Sequence, residues 1–434
     1  MRANIKQLER SSAAVIVASA TSVAILGCAR QNPYYCPGAP GNNCLAFDAS
    51  LSCTSDQQCF PNVCDLAGSR TCVQCTQAMA SACTGTSPIC GADDSCHGCA
   101  AHSDCPASNV CLPDGSCAQP DNVAYVAAAP SGTDNPMCSL TAPCTVAAAL
   151  ATGRPYVKFH GVIDEAVSVN GGRSVTFLAD PGAELTRSSG TGAIVTVQDD
   201  RTSLSIYDLS ISNAPNSPSG FGCLIPAGAG APTLSLTRVS ITNNPGGGIS
   251  NTGGSLAVSQ STISGNQGGG LSSSNGTFII VGNVFFNNGG NTSLVGGISI
   301  GTAANAANRL DFNSFALNTS QDGISPAVQC IAGSFTAKNN IMSGNRTPTP
   351  GTNQSGGTCM HAYSIIQPGT VPPGTQNSGS DPLFVDPAKG DLHLQSTSPA
   401  RRAADPGTDL TGVASHDIDG NVRVAPADIG GYQF

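Results

Sequence analysis

The chain has 434 residues, a net charge of −9, 51 glycines, 29 prolines, 20 cysteines and no tryptophan. With 10% of residues charged and 40% apolar, it is not a disordered polyelectrolyte, and 18 scattered basic residues leave no electrostatic footprint for nucleic acid. Many Gly, Ser, Thr and Asn residues and few helix formers predict β structure with frequent turns.

The opening segment reads as an address. Arg2, Lys6 and Arg10 precede an apolar stretch from Ala13 to Leu26, too short to span a bilayer comfortably. It ends Ile25-Leu26-Gly27-Cys28. This resembles the bacterial lipobox, in which the Cys after Gly receives the lipid. The resemblance implies residues 1–27 as a lipoprotein signal peptide, lipidation at Cys28 and a membrane partner reached through that lipid. It also implies an exported, lipid-anchored protein at the surface of a bacterium, and Ala29 in place of Asp implies the outer membrane. Beyond this segment no run of ~18 apolar residues offers a spanning helix.

Residues 28–119 form a cysteine-rich module. Cys53, Cys59, Cys64 and Cys72 make one set of four, Cys75, Cys83, Cys90 and Cys96 the next, and Cys99, Cys105, Cys111 and Cys117 a third, with Cys36 and Cys44 in front as a further candidate pair. Units this small bury little core, so cross-links replace it. Cys72-x-x-Cys75 and Cys96-x-x-Cys99 also have zinc-ligand spacing. Export and the repeat favour disulfides, with each CxxC a junction between units, and no metal or cofactor is expected.

From residue 120 the chain repeats. Leu204-Ser-Ile206, Leu234-Ser-Leu236, Leu256-Ala-Val258 and Phe278-Ile-Ile280 are each followed by a second short apolar run and then Asn. Equivalent positions fall at 211, 241, 263, 285, 315 and 342, and a second series runs Gly248-Ile249, Gly270-Leu271, Gly297-Ile298 and Gly323-Ile324. Alternation at period two marks strands with one buried face. Strands this short are stable only when stacked, each pairing in parallel with its equivalent one coil on. Asn244, Asn266, Asn288, Asn318 and Asn345 form one candidate amide ladder; Asn283, Asn313 and Asn340 form a second. The same rows, if exposed, are candidate sugar contacts, and Asn at a run's end suits left-handed backbone.

Both ends of such a stack need covering. At the front, Cys138 and Cys144 read as a local disulfide and Thr145 as the N-cap of a short helix. At the back stand Asp381-Pro-Leu-Phe-Val-Asp386, Gly390-Asp391-Leu-His393, Asp417-Ile-Asp419-Gly420 and Asp428-Ile-Gly430. These motifs resemble the right-handed parallel β-helix of the pectin-lyase-like superfamily, and within it the choice-of-anchor group of bacterial surface proteins. The resemblance implies an all-β fold over residues 120–434, an N-terminal cap and a closing C-terminal segment.

The resemblance is nearly silent on activity. Asp199, Asp200 and Asp208 with Arg201 and Arg238 are the nearest approach to a charged surface group, but Asp208 and Arg238 are equivalent one coil apart and read as a cross-strand ion pair. His160, His361 and His393 read as isolated, and Asp417, Asp419 and Asp428 as turn caps. Removing Cys28, the fourteen module cysteines and Cys138–Cys144 leaves Cys223, Cys330 and Cys359. Cys330 and Cys359, about one coil apart, suit a disulfide; Cys223 then stays a buried thiol. Two readings stay open: a monomeric, non-catalytic surface lipoprotein that binds a polysaccharide or a surface partner, and a polysaccharide lyase or glycoside hydrolase whose catalytic residues no motif identifies.

Overall fold

A computed structural model describes residues 52–128, 137–302, 305, 307–333 and 335–434. Cys28, Cys36 and Cys44 lie outside the described residues. The chain divides into two compact units, one ending at His97 and the other running from Gly98 to Phe434.

In the first unit each set of four cysteines is bonded first to third and second to fourth: Cys53–Cys64 with Cys59–Cys72, then Cys75–Cys90 with Cys83–Cys96. The hydrophobic cluster of the first set is its own four cysteines. Three sulfurs in each set lie within 4.8 Å of one another. Each is spent in a disulfide, so no thiolate is left for a metal. The two CxxC pairs are junctions: Cys72 and Cys75, like Cys96 and Cys99, bond into different sets.

The second unit is a right-handed parallel β-helix. Among the described residues, its coil strands lie in three parallel sheets of ten, nine and eight, each full coil giving one strand to each, and Phe384–Asp386 pairs antiparallel with Asp391–Leu394 outside them. Thus 203–207, 210–212 and 221–225 pair with 233–237, 240–242 and 247–252 of the next coil. Positions 211, 241, 263, 285, 315 and 342 are all in register. They fill the lumen with one apolar column, in which Phe285 and Phe315 stack at 5.0 Å. In the second series the partner of Ile298 is Val328, not Ile324. From Asn288 onward the step from the ladder Asn to this strand is ten residues, as in Asn288 to Ile298 and Asn318 to Val328, against five in the coils of Asn244 and Asn266, so the local Gly-Ile echo at 323–324 falls four residues early.

The amide ladders run inside the stack. Asn244, Asn266, Asn288, Asn318 and Asn345 pass Nδ2–H···Oδ1 bonds of 2.7–2.9 Å from coil to coil and end on Gln354. Asn283, Asn313 and Asn340 do the same at the other corner, at 3.0 Å. All are buried, so neither row faces a sugar. Nor do the ladder residues take the left-handed backbone. The residue before each does: Asn243, Gly265, Asn287, Leu317 and Gly344 at one corner, Gly282, Phe312 and Asn339 at the other. One left-handed residue turns the chain, and the next aims its amide along the stack to hold corner amides and carbonyls that would otherwise be buried unpaired.

The front is closed by Val123–Ala127, paired in parallel with Tyr156–His160. Beyond it the Cys138–Cys144 disulfide holds both cysteines against Tyr125, whose N–H donates to Cys138 at 2.9 Å and whose carbonyl accepts from Cys144 at 3.0 Å. Thr145 caps the helix Val146–Ala151 through Ala148 N–H. At the back, residues 375–378 pair with the last coil. The run beyond them does not sit over that end. It returns along the flank: Asp405 meets Lys338 Nζ at 2.7 Å, Gly431 N–H donates to Ser314 Oγ, and the Asp417 carbonyl accepts from Gln260 Nε2. A second apolar core forms beneath it, including Phe312, Ile341, Phe384, Leu392 and Ile429. Arg423 is buried there, its Nη2 donating to the Gly430 and Gly431 carbonyls and its guanidinium 4.5 Å over the Phe312 ring. Burial pulls its pKa down to about 10.

His393 fastens this strap. Its Nδ1 lies 2.6 Å from Asp391, its Nε2 2.7 Å from Asp419, and its ring 4.0 Å from that of Tyr432. Only the imidazolium can donate to both carboxylates. Burial opposes that charge, but the bonds to Asp391 and Asp419 outweigh it and hold the pKa above the usual imidazole range. With the folded pKa raised, this stabilisation is complete below the unfolded pKa and is lost as pH rises through the folded one. Amide exchange at residues 419–421, corrected for intrinsic rate, should therefore quicken through that rise in the native chain and not in His393→Gln. Equal behaviour of the two would refute the latch.

Candidate functional site

The third cysteine set, bonded Cys99–Cys111 and Cys105–Cys117, packs on the outer face of the ten-stranded sheet. Val110 and Ala118 bury against Val123, Tyr125 and Leu178, and Tyr125 Oη donates to the Ser108 carbonyl. His102 bridges the two parts. Its Nδ1 accepts from Cys111 N–H at 3.0 Å, which assigns the proton to Nε2, 3.2 Å from the Ala179 carbonyl. Burial, helped by the nearby Lys158 charge, lowers its pKa.

Beside this contact runs a groove of about 1010 Å³, with Leu112, Pro113 and Asp114 on one wall and Asp180, Pro181, Asp208 and Arg238 on the other. Alternation explains the charges that meet its wall carboxylate Asp180. On Tyr156–His160, Val157 and Phe159 fill the lumen, so Lys158 and His160 point outward. The third cysteine set then covers Lys158 until it is 2% exposed. Lys158 Nζ lies 2.7 Å from Asp180 Oδ1, though off the line of a good hydrogen bond. His160 Nδ1 is 2.9 Å from the other oxygen of Asp180. Burial pulls the Lys158 pKa down. It pushes Asp180 the other way, but Lys158 and His160 outweigh it and keep the carboxyl below its usual range.

Of the residues singled out in the sequence, Asp208 and Arg238 are brought together: Nε and Nη2 of the guanidinium meet the two carboxylate oxygens at 2.6 and 2.8 Å. Both have left-handed backbone at successive coil corners, φ 63° and 54°. Asp199, Asp200 and Arg201 sit at the far end of Ser203–Tyr207 from Asp208, about 13 Å of strand away. Asp199 accepts from Gly171 N–H and Asp200 from Ala231 N–H, each at 2.8 Å, so both carboxylates tie neighbouring coils. Cys330 is bonded to Cys359, with Cα atoms 5.4 Å apart. Cys223 is a buried free thiol in register with Ile249, and burial raises its pKa to about 12. The three histidines are not isolated. His160 and His393 meet carboxylates, and His361 in the last coil's lumen lies 2.6 Å from Ser355 Oγ, its pKa lowered by burial to about 4. Asp417 is saturated by N–H donors of Asp419, Asn421 and Gln433, which leaves it no lone pair for a calcium ion.

Lys158, Asp180 and His102 were not singled out in the sequence. The alternation Tyr156-Val-Lys-Phe-His160 marks Lys158 as outward-facing, but no local signal says that a cysteine set fifty residues earlier covers it.

The profile of a family of unknown function, DUF8331, matches residues 17–123. No curated protein matches the sequence. Among solved structures, the chain is similar to the pectate lyase Pel9A, with 12% identity over 72% of this chain and 96% of that one and a TM-score of 0.39. It is also similar to the pectin methylesterase from Aspergillus niger in deglycosylated form, with 13% identity over 70% of this chain and 98% of that one and a TM-score of 0.38.

Proposed function

We propose that the chain is an exported bacterial lipoprotein, anchored through Cys28, whose β-helix binds an extracellular polysaccharide in the groove beside the third cysteine set. One observation carries the binding role: the wall carboxylates Asp180 and Asp208 are both engaged, by Lys158 with His160 and by Arg238. An acid or nucleophile needs an idle carboxyl aimed at substrate. Here the charges are spent on one another, and the open surface offers hydrogen bonds and apolar contact. Pro113→Trp, which fills the groove from an exposed position on its wall, should abolish retardation in polysaccharide-containing gels while leaving the circular dichroism spectrum unchanged. Retained binding would move the site elsewhere. For the anchor, mass spectrometry should find acylated Cys28 at the mature N-terminus, and Cys28→Ser should leave the protein in the soluble fraction.

The catalytic alternative has one point in its favour, a lysine whose pKa burial has lowered, beside a carboxylate. Incubation with acidic and neutral polysaccharides, scored for new reducing or unsaturated ends, separates the readings. New ends that vanish in Lys158→Met would establish the enzyme.

A further inference from the structure

We infer that the groove selects an uncharged glycan and discriminates against polyuronates and other polyanions. The inference rests on the reading of the groove as a polysaccharide site and adds the substrate class. Its basis is the charge distribution. Among the described residues, Asp114, Asp180 and Asp208 line the groove against Arg238 as the one permanently charged cation on its walls. Lys158, the neighbouring cation, is 2% exposed and already faces Asp180. The Arg238 fork, the geometry that would otherwise grip a ligand carboxylate in bidentate fashion, is closed on Asp208. The His102 imidazole is neutral, since its Nδ1 accepts a backbone N–H.

A polyanion entering this groove meets three carboxylates and no unspent cation. Nor does the rest of the chain draw it in, at a net charge of −9. A neutral chain meets no such opposition. Its hydroxyls can donate to the outward carboxylate oxygens, and its C–H faces can lie on Leu112, Pro113 and Pro181. Carboxylates already held in place by cations are pre-oriented acceptors for hydroxyl groups, so ordering them on binding costs little.

The test is affinity electrophoresis of the full chain in gels containing galactomannan, xylan, mixed-linkage glucan, polygalacturonate or alginate, at low and high salt. The expected result is retardation by at least one neutral polymer, unchanged by salt, and none by the two polyuronates. Asp208→Asn then serves as the diagnostic variant. Asn tolerates the left-handed corner, and the change frees the Arg238 fork. It should gain salt-sensitive polygalacturonate binding of about tenfold over the native chain, the scale of one charge-assisted contact. Salt-sensitive binding of a polyuronate by the native chain, with neutral polymers ignored, would overturn the inference and leave the groove's binding role standing. Absence of retardation by every polymer would instead remove the binding role, and the inference with it.

Discussion

Replacing Asn288 with leucine is expected to lower stability by about 3–5 kcal/mol, although the two side chains are similar in size. Asn288 Oδ1 accepts from both the N–H and Nδ2 of Asn266, and its own Nδ2 donates to the Ile263 carbonyl and to Asn318 Oδ1. The leucine orphans two donors and a carbonyl in a region with no access to water, and each orphan costs about 1–3 kcal/mol. Asn243→Gly is the contrasting variant. Asn243 supplies the left-handed turn at φ 57° and is not a rung of the ladder, so glycine should change stability by only a few tenths of a kcal/mol. Urea unfolding followed by circular dichroism compares the two. A loss below about 1 kcal/mol in Asn288→Leu would mean that the ladder contributes little.

Reduction should act in grades along the molecule. The first unit has cysteines for a core, and each disulfide closes a loop of 11–15 residues, worth about 3 kcal/mol of unfolded-state entropy. Mild thiol treatment is expected to make residues 52–97 protease-sensitive. The third set should survive longer, because its Val110 and Ala118 are buried against the coils. The β-helix should resist, since its core is aliphatic and aromatic. Chelation should leave all three unchanged. Digestion mapped by mass spectrometry reads the order, and resistance lost to a chelator while the disulfides remain would point to bound metal.

Much of this architecture is legible in the sequence because a coil repeats its own constraints. The position of Ile211 recurs at Ile241 and Ile263 for a local reason: each strand alternates, and each must stack on the last. That locality also marks the limit. Gly323-Ile324 copies the local pattern, yet the loop ahead of it shifts the true partner to Val328. The Asn rows are visible, but their burial depends on which of two adjacent corner residues turns the chain. The Asp208–Arg238 pair follows from coil spacing. The groove around it does not, because His102 and Lys158 meet through a docking of parts far apart in sequence, where nothing repeats. The closing motifs are likewise recognisable as a set, while their course along the flank is decided by the apolar side of Phe312 and Ile341 that they cover.

That course changes how the stack should come apart. In a simple solenoid each coil touches only its neighbours, so fraying starts at an end and proceeds one repeat at a time. Here the C-terminal strap touches Gln260, Ser314, Lys338 and Asn339 together. The last coil cannot peel away until the strap lifts, and lifting it releases several coils at once. The coils from residue 260 onward thus form one cooperative block, while those before it keep only nearest-neighbour coupling. Pulled from its C-terminus, the molecule should yield in one large step and then in a series of small ones.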